Sequence, residues 1–155
     1  MPIKTGGIGY KNRLLVSIPS DMKFFRETTT GKVIVMGRRH WKVSRMGCRL
    51  KTGSILCLQE TETMKQRCGD RHDEEELMNE LGKYDTEQIY IIGGESVYKM
   101  MLSYCDKIYV TKVDRAFQAD TYFPNLDEMS EWKMTQESEE QTCFDLEFCF
   151  TTYER

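Results

Sequence analysis

Gln88-Ile89-Tyr90-Ile91-Ile92-Gly93-Gly94-Glu95-Ser96-Val97-Tyr98-Lys99-Met100-Met101-Leu102 is the stretch on which the fold is read. Gln88 to Ile92 is a short apolar run rich in β-branched residues, the pattern of a strand buried on both faces. Gly93 and Gly94 end it, and from Ser96 to Leu102 the residues Val97, Met100 and Met101 recur at helical spacing. The segment therefore reads as strand, glycine turn, helix. Val33-Ile34-Val35-Met36 before Gly37 repeats the first half of the pattern, and such strands belong to parallel sheets. Further out, Pro19 and Ser20 mark a helix start, with Asp21 in the first turn and Met22, Phe25 and Arg26 behind it. A second helix is expected from Asp73 to Leu81, acidic at its beginning and stopped by Gly82. Lys107 to Val113 is strand-like. Phe144, Leu146, Phe148 and Phe150 alternate with Asp145, Glu147, Cys149 and Thr151, which predicts a last strand with one wet face. Alternating strands and helices that close on a C-terminal hairpin predict an α/β fold with a mainly parallel sheet.

The chain has 155 residues, 39% of them hydrophobic, which suits one domain spanning 1–155 with a core of its own. Lys and Arg number 22 against 25 Asp and Glu, a net charge of -3 with no block of like charge. That balance argues against nucleic acid or a membrane surface as partner. No apolar run approaches the roughly 20 residues of a membrane-spanning helix. Met1 to Gly9 lacks the apolar centre of a signal peptide, so the expected location is the cytoplasm. The six cysteines form no C-x-x-C pair and His40 and His72 are far apart; no metal site is expected, and reduced thiols are. From His40 to Arg71 neither periodicity is sustained, although structureless loops beyond about 12–15 residues are uncommon in compact domains.

Three places can carry chemistry. Gly93-Gly94, after a strand and before a helix, is where a cofactor pyrophosphate can approach the backbone; glycines that merely end a strand look the same. Gly37-Arg38-Arg39 also follows a strand, and two guanidiniums there either grip a phosphate or form a solvated basic corner. Asp21 is one acid among Ile18, Met22, Phe24 and Phe25, either a carboxylate for ligand recognition or a partner of the helix dipole.

Ile8-Gly9, Asn12, Pro19, Asp21 and Phe25, then Val35-Met36-Gly37-Arg38, Ile91-Ile92-Gly93-Gly94 with Tyr98, Thr111, and Asp120-Thr121-Tyr122-Phe123-Pro124 resemble dihydrofolate reductase, bacterial type, in order and spacing. The resemblance covers about Gly6 to Arg39 and His72 to Arg155. It implies a three-layer α/β fold around a mainly parallel sheet, and hydride transfer from NADPH to the pterin ring of 7,8-dihydrofolate, giving tetrahydrofolate. It also implies sensitivity to antifolate inhibitors and a monomer. Asp21 would hydrogen-bond the pterin and Thr111 would hold that network, with Met22, Phe25 and Ile92 lining the substrate slot. Gly93, Gly94, Ser96, Val97 and Tyr98 would meet the nicotinamide and pyrophosphate, with Gly37, Arg38 and Arg39 toward the adenosine phosphate. Ile8, Gly9, Asn12 and Leu14 belong to the loop expected to close over the nicotinamide, and Thr121 would lie on the cofactor side. A riboflavin-pathway or pteridine reductase would place an aromatic or polar group at position 21, and Asp21 argues against it. A non-enzymatic remnant of the family is the other alternative.

Two segments depart from the family. Met1-Pro2-Ile3-Lys4-Thr5 stands where an apolar first strand is expected, so that strand reads as missing. Leu15 and Val16 replace an expected proline and tryptophan, and from about His40 to Arg71 no family feature is legible. The genetic code offers an explanation, because a shifted frame joins each codon's third base to the next codon's first two. Whatever synonymous codons are used, His40-Trp41 then gives leucine and Trp41-Lys42 glutamate, while Lys42-Val43 gives serine or glycine and Met46-Gly47 gives glycine. The shifted frame thus reads Leu-Glu-Ser where the resemblance implies a threonine and then Glu-Ser, so the segment reads as an out-of-frame translation; a divergent insertion is the alternative. Activity as written is expected to be weak or absent.

Overall fold

The structure, a computed structural model, describes residues 6–37, 55–58, 71–72 and 74–155. Met1–Thr5 and most of 40–71 lie outside the described residues. The chain divides into two compact units, one of Met1–Asp21 with Met101–Arg155 and one of Met22–Met100.

The Met22–Met100 unit is built on a parallel sheet. Strand β3 (Val33–Gly37) pairs in parallel with β4 (Ile55–Leu58) on one side and β6 (Ile89–Gly93) on the other, and β5 (Arg71–His72) extends the sheet beyond β4. An interior strand covered on both faces must be apolar throughout, and Val33 to Met36 are all buried, Val35 and Met36 completely. Helix α2 (Glu74–Leu81) buries Leu77 and Leu81. Its start at Glu74 leaves the expected Asp73 outside the described residues. Strand β6 departs from its reading in two ways. Gln88 belongs to the 3-10 turn Thr86–Gln88 rather than to the strand, and Ile89 to Ile91 are only half-buried. Among the described residues β6 ends the sheet order β5-β4-β3-β6, and a run of apolar residues does not by itself report how much of a strand its neighbours cover. Helix α3 (Glu95–Met101) passes into the 3-10 turn Leu102–Tyr104, so the expected α-helix ends one residue early.

The other unit is antiparallel. Strand β11 (Leu146–Glu154) lies between β7 (Lys107–Val113) and β9 (Lys133–Glu137), and β10 (Gln141–Cys143) pairs with its first residues. Ile18, Val113, Leu146 and Phe148 form one buried cluster and Leu126, Trp132 and Tyr153 another. Because clusters form on both faces, Thr151, Thr152 and Tyr153 are consecutively buried, and the one wet face expected of this strand holds only near Glu147. The Tyr153 phenol donates to Asp127 at 2.6 Å and the Lys112 ammonium to the other carboxylate oxygen at 3.0 Å. Those bonds hold the Asp127 carboxyl below its ordinary range. A small sheet of β2 (Arg13–Leu14), β1 (Gly7–Tyr10) and β8 (Thr121–Tyr122) completes the unit.

Phe144 is not in the last strand. Cys143 pairs with Leu146, so Phe144 and Asp145 are a two-residue hairpin loop. Phe144 has φ 56 there and is 93% exposed. The alternation counted its aromatic ring as a core position, but the hairpin needed a turn at that point. Left-handed backbone at an L-residue costs roughly 1–2 kcal/mol, and glycine is the residue that tight hairpins favour there. Phe144→Gly is therefore expected to raise the melting temperature by about 2–4 °C with no loss of buried area, as thermal unfolding would show; an unchanged or lower value contradicts this account of the turn.

Candidate active site

The start of helix α1 (Pro19–Thr29) is seated by Ile18, which is buried against Val113 and Phe148. Thr111 lies two residues before Val113 on β7, on the same face of the strand, and both are buried. Ile18 and Val113 thus bring the first turn of the helix to Thr111. The Thr111 hydroxyl donates to Asp21 Oδ1 at 2.5 Å. Thr111 is 6% exposed and Asp21 is half-buried. A carboxylate oriented this way presents a fixed acceptor edge to a planar group carrying paired N–H donors.

Still in this unit, β1 and β2 form a hairpin whose two-residue turn is Lys11-Asn12, with φ 48 and 59, the primed turn suited to the twist of paired strands. Ile8 and Gly9 lie on β1 and are half-buried; Asn12 and Leu14 are exposed. Gly9 pairs with Thr121. Asp120 fastens the loop: its amide donates to Gly9 O at 3.0 Å, and its carboxylate accepts from the Lys11 amide at 2.8 Å and from the Thr121 hydroxyl at 2.8 Å. The Lys11 amide bond, followed by that from Thr121, holds the Asp120 carboxyl below its ordinary value. Asp120 was absent from the expected site residues, and its place beside Thr121 in the quoted motif was the signal available.

In the Met22–Met100 unit the ends of β3 and β6 make a second constellation. Phe25 packs against the cluster of Ile34, Met36 and Ile92, so two of the three expected slot residues belong to one apolar group; Met22 is half-buried one turn earlier on α1. Gly37, which ends β3, lies so close to the glycine turn that a Cβ there would come 3.1 Å from Val97 Cγ2 and 3.6 Å from Gly94 N. Gly93 has φ +117, and a Cβ on it would come within 3.0 Å of the Tyr98 ring. The Gly93–Gly94 peptide is cis, and the Tyr98 amide donates to Gly94 O at 2.9 Å. Val97 is buried, while Ser96 is exposed on α3. At Gly94 an added Cβ would meet nothing within 4 Å, so a ligand can approach the main chain there. Open α/β sheets bind their ligands at these carboxyl ends of parallel strands. Arg38 and Arg39 lie outside the described residues.

The family model for dihydrofolate reductase matches residues 3–155. Dihydrofolate reductase of Haemophilus influenzae is 30% identical over 149 residues, covering 94% of this chain and 90% of that one. That of Buchnera aphidicola from Acyrthosiphon pisum is 33% identical over 129 residues, covering 81% and 76%. Among solved structures, dihydrofolate reductase from Enterococcus faecalis complexed with NADP(H) and RAB-propyl superposes with a TM-score of 0.79 at 27% identity, covering 97% of this chain and 89% of that one. The fold and these matches define an NADPH-dependent oxidoreductase. The chain belongs to the dihydrofolate reductase family, whose reaction reduces 7,8-dihydrofolate to tetrahydrofolate.

Proposed function

We propose that residues 1–155 act as one dihydrofolate reductase domain, with Asp21 and Thr111 at the pterin, and that turnover by the chain as written is weak. The observation that carries this reading is the Thr111-held carboxylate. A buried threonine hydroxyl fixes the plane of Asp21, and the carboxylate binds the amino group and adjacent ring nitrogen of the pterin as a bidentate acceptor. Met22, Phe25 and Ile92 supply the apolar wall of the substrate slot and exclude water from it. NADPH, when bound, supplies the hydride. The open main chain at Gly94 suits its pyrophosphate, with Gly93, Ser96, Val97 and Tyr98 around the turn and Gly37, Arg38 and Arg39 toward the adenosine end. Asp120 holds the Ile8-to-Leu15 loop, carrying Gly9, Asn12 and Leu14, in register with Thr121. No helix among the described residues is long and apolar enough to cross a membrane. A cytoplasmic monomer that binds dihydrofolate and antifolates is the arrangement proposed.

Weak turnover follows from the two departing segments. Met1–Thr5 lacks the apolar strand pattern that the resemblance implies there, and the segment 40–71 carries no recognisable arginine for the substrate's carboxylate. Both are proposed to be frame-shifted readings of the family's own sequence. The test is to follow NADPH oxidation with dihydrofolate for the chain as written and for a gene resequenced and corrected across codons 1–9 and 39–72. The chain as written is expected to stay below about 1 s⁻¹, under the usual enzyme range, and the corrected chain to enter that range. Normal turnover by the chain as written refutes the impairment. No thermal shift with an antifolate in either chain refutes the site, and then the remnant reading stands.

A further inference from the structure

Strand β7 is held against β11 along its whole length, with Thr111 opposite Phe150 and Val110 opposite Thr151. Directly opposed residues of an antiparallel pair share a face, so Thr151 lies on the face away from Asp21. It is 2% exposed. Its hydroxyl donates to the carbonyl oxygen of Val110 at 2.8 Å. That carbonyl belongs to the rigid peptide plane whose nitrogen is that of Thr111, so the bond grips the unit from which the Thr111 side chain extends. On its other side β11 is fixed by β9, where Thr151 faces Glu137. Packing alone does not ask for a hydroxyl here, because valine has nearly the same shape, favours strands and carries no buried polar atom to satisfy.

We propose that Thr151 is a positioning residue for the Thr111–Asp21 pair, acting through the Val110–Thr111 peptide without touching a ligand. This assignment rests on the reading of Asp21 as the pterin-binding carboxylate. The 2.5 Å contact between Thr111 and Asp21 is short and charge-assisted, and such bonds weaken steeply when their geometry is disturbed. Fixing the peptide plane from behind keeps the Thr111 hydroxyl on the carboxylate while ligands come and go.

The test compares Thr151→Val, Thr151→Ser and Tyr153→Phe, with Thr111→Val as background for a double-mutant cycle. Tyr153→Phe removes a buried hydrogen bond from the same strand, to Asp127, and so reports a merely structural loss. Two readouts are used: the affinity for a 2,4-diaminopyrimidine antifolate, and amide hydrogen exchange at Thr111 relative to Ile108 on the same strand. Thr151→Val is expected to weaken the antifolate and to speed exchange at Thr111, each by about fivefold, the worth of one hydrogen bond. Thr151→Ser restores both, Tyr153→Phe moves neither, and in the Thr111→Val background Thr151→Val has no further effect on binding. Unchanged values in Thr151→Val, or an equal effect with and without Thr111, overturn the proposal. If the unaltered chain binds no antifolate, it is the reading of Asp21 that fails. The exchange rate then decides alone: faster in Thr151→Val only supports positioning, and equal rates overturn it.

Discussion

Asp21→Asn is expected to cut the rate of dihydrofolate reduction by about a hundredfold or more, the scale lost with a positioned acid–base group, while leaving NADPH affinity and the melting temperature close to those of the unaltered chain. Asparagine keeps an oxygen where Thr111 donates at 2.5 Å, so the local fold has no reason to change. It loses the negative charge that two N–H donors of a pterin require, and a charge-assisted hydrogen bond is worth about 1.5–3 kcal/mol. An antifolate should accordingly bind at least about tenfold more weakly, a readout that does not depend on turnover. Rates within about threefold of the unaltered chain would show that the Thr111-held carboxylate is not the substrate group.

Gly93→Ala is expected to damage both stability and cofactor binding. The backbone there has φ +117, and a Cβ would lie 3.0 to 3.2 Å from Cε2, the hydroxyl oxygen and Cζ of Tyr98. Holding an L-residue in such a region costs about 1–3 kcal/mol, and Tyr98 must also move. Denaturant unfolding should show that loss, and a cofactor titration should show NADPH binding weakened by more than about tenfold, as the turn shifts under its proposed ligand. Gly94→Ala separates the two effects. Nothing lies within 4 Å of a Cβ at that position, so stability should change little while NADPH binding still falls. If Gly94→Ala binds NADPH normally, the pyrophosphate does not approach that turn.

Much of this was legible before any fold was known, and the reasons are local. Val33 to Met36 had to be a doubly covered strand because four consecutive apolar residues leave no wet face. Pro19 and Asp21 marked the first turn of α1 through a missing N–H and a favourable charge. Asp21, Thr111 and the glycine turn were joined as a set only by the resemblance to a known family; read alone, Asp21 stood equally as a partner of the helix dipole. Phe144 was misread because alternation counts ring against charge and is blind to φ. Ile89 to Ile91 were read as more buried than they are because burial depends on what lies beside and over a strand. Asp120 and Thr151 went unassigned because each acts through another residue's backbone, which side-chain chemistry in a linear sequence does not display.

The sequence by itself determined the class of fold, a helix start at Pro19 and a glycine turn after a strand, since periodicity, helix-start chemistry and a residue without Cβ are properties of neighbours along the chain; Asp21 was assigned its role only through the resemblance. The link between Thr111 and Asp21 was implied by the resemblance, but only the tertiary structure decided its geometry, a hydroxyl donating to Oδ1 across 90 positions of sequence, and only it decided that Asp120 closes the Lys11-Asn12 turn and that the Thr151 hydroxyl donates to the Val110 carbonyl. Those contacts depend on strand register and on the seating of Ile18 beside Val113. Register and seating are set when non-local surfaces pack together, which no local pattern encodes.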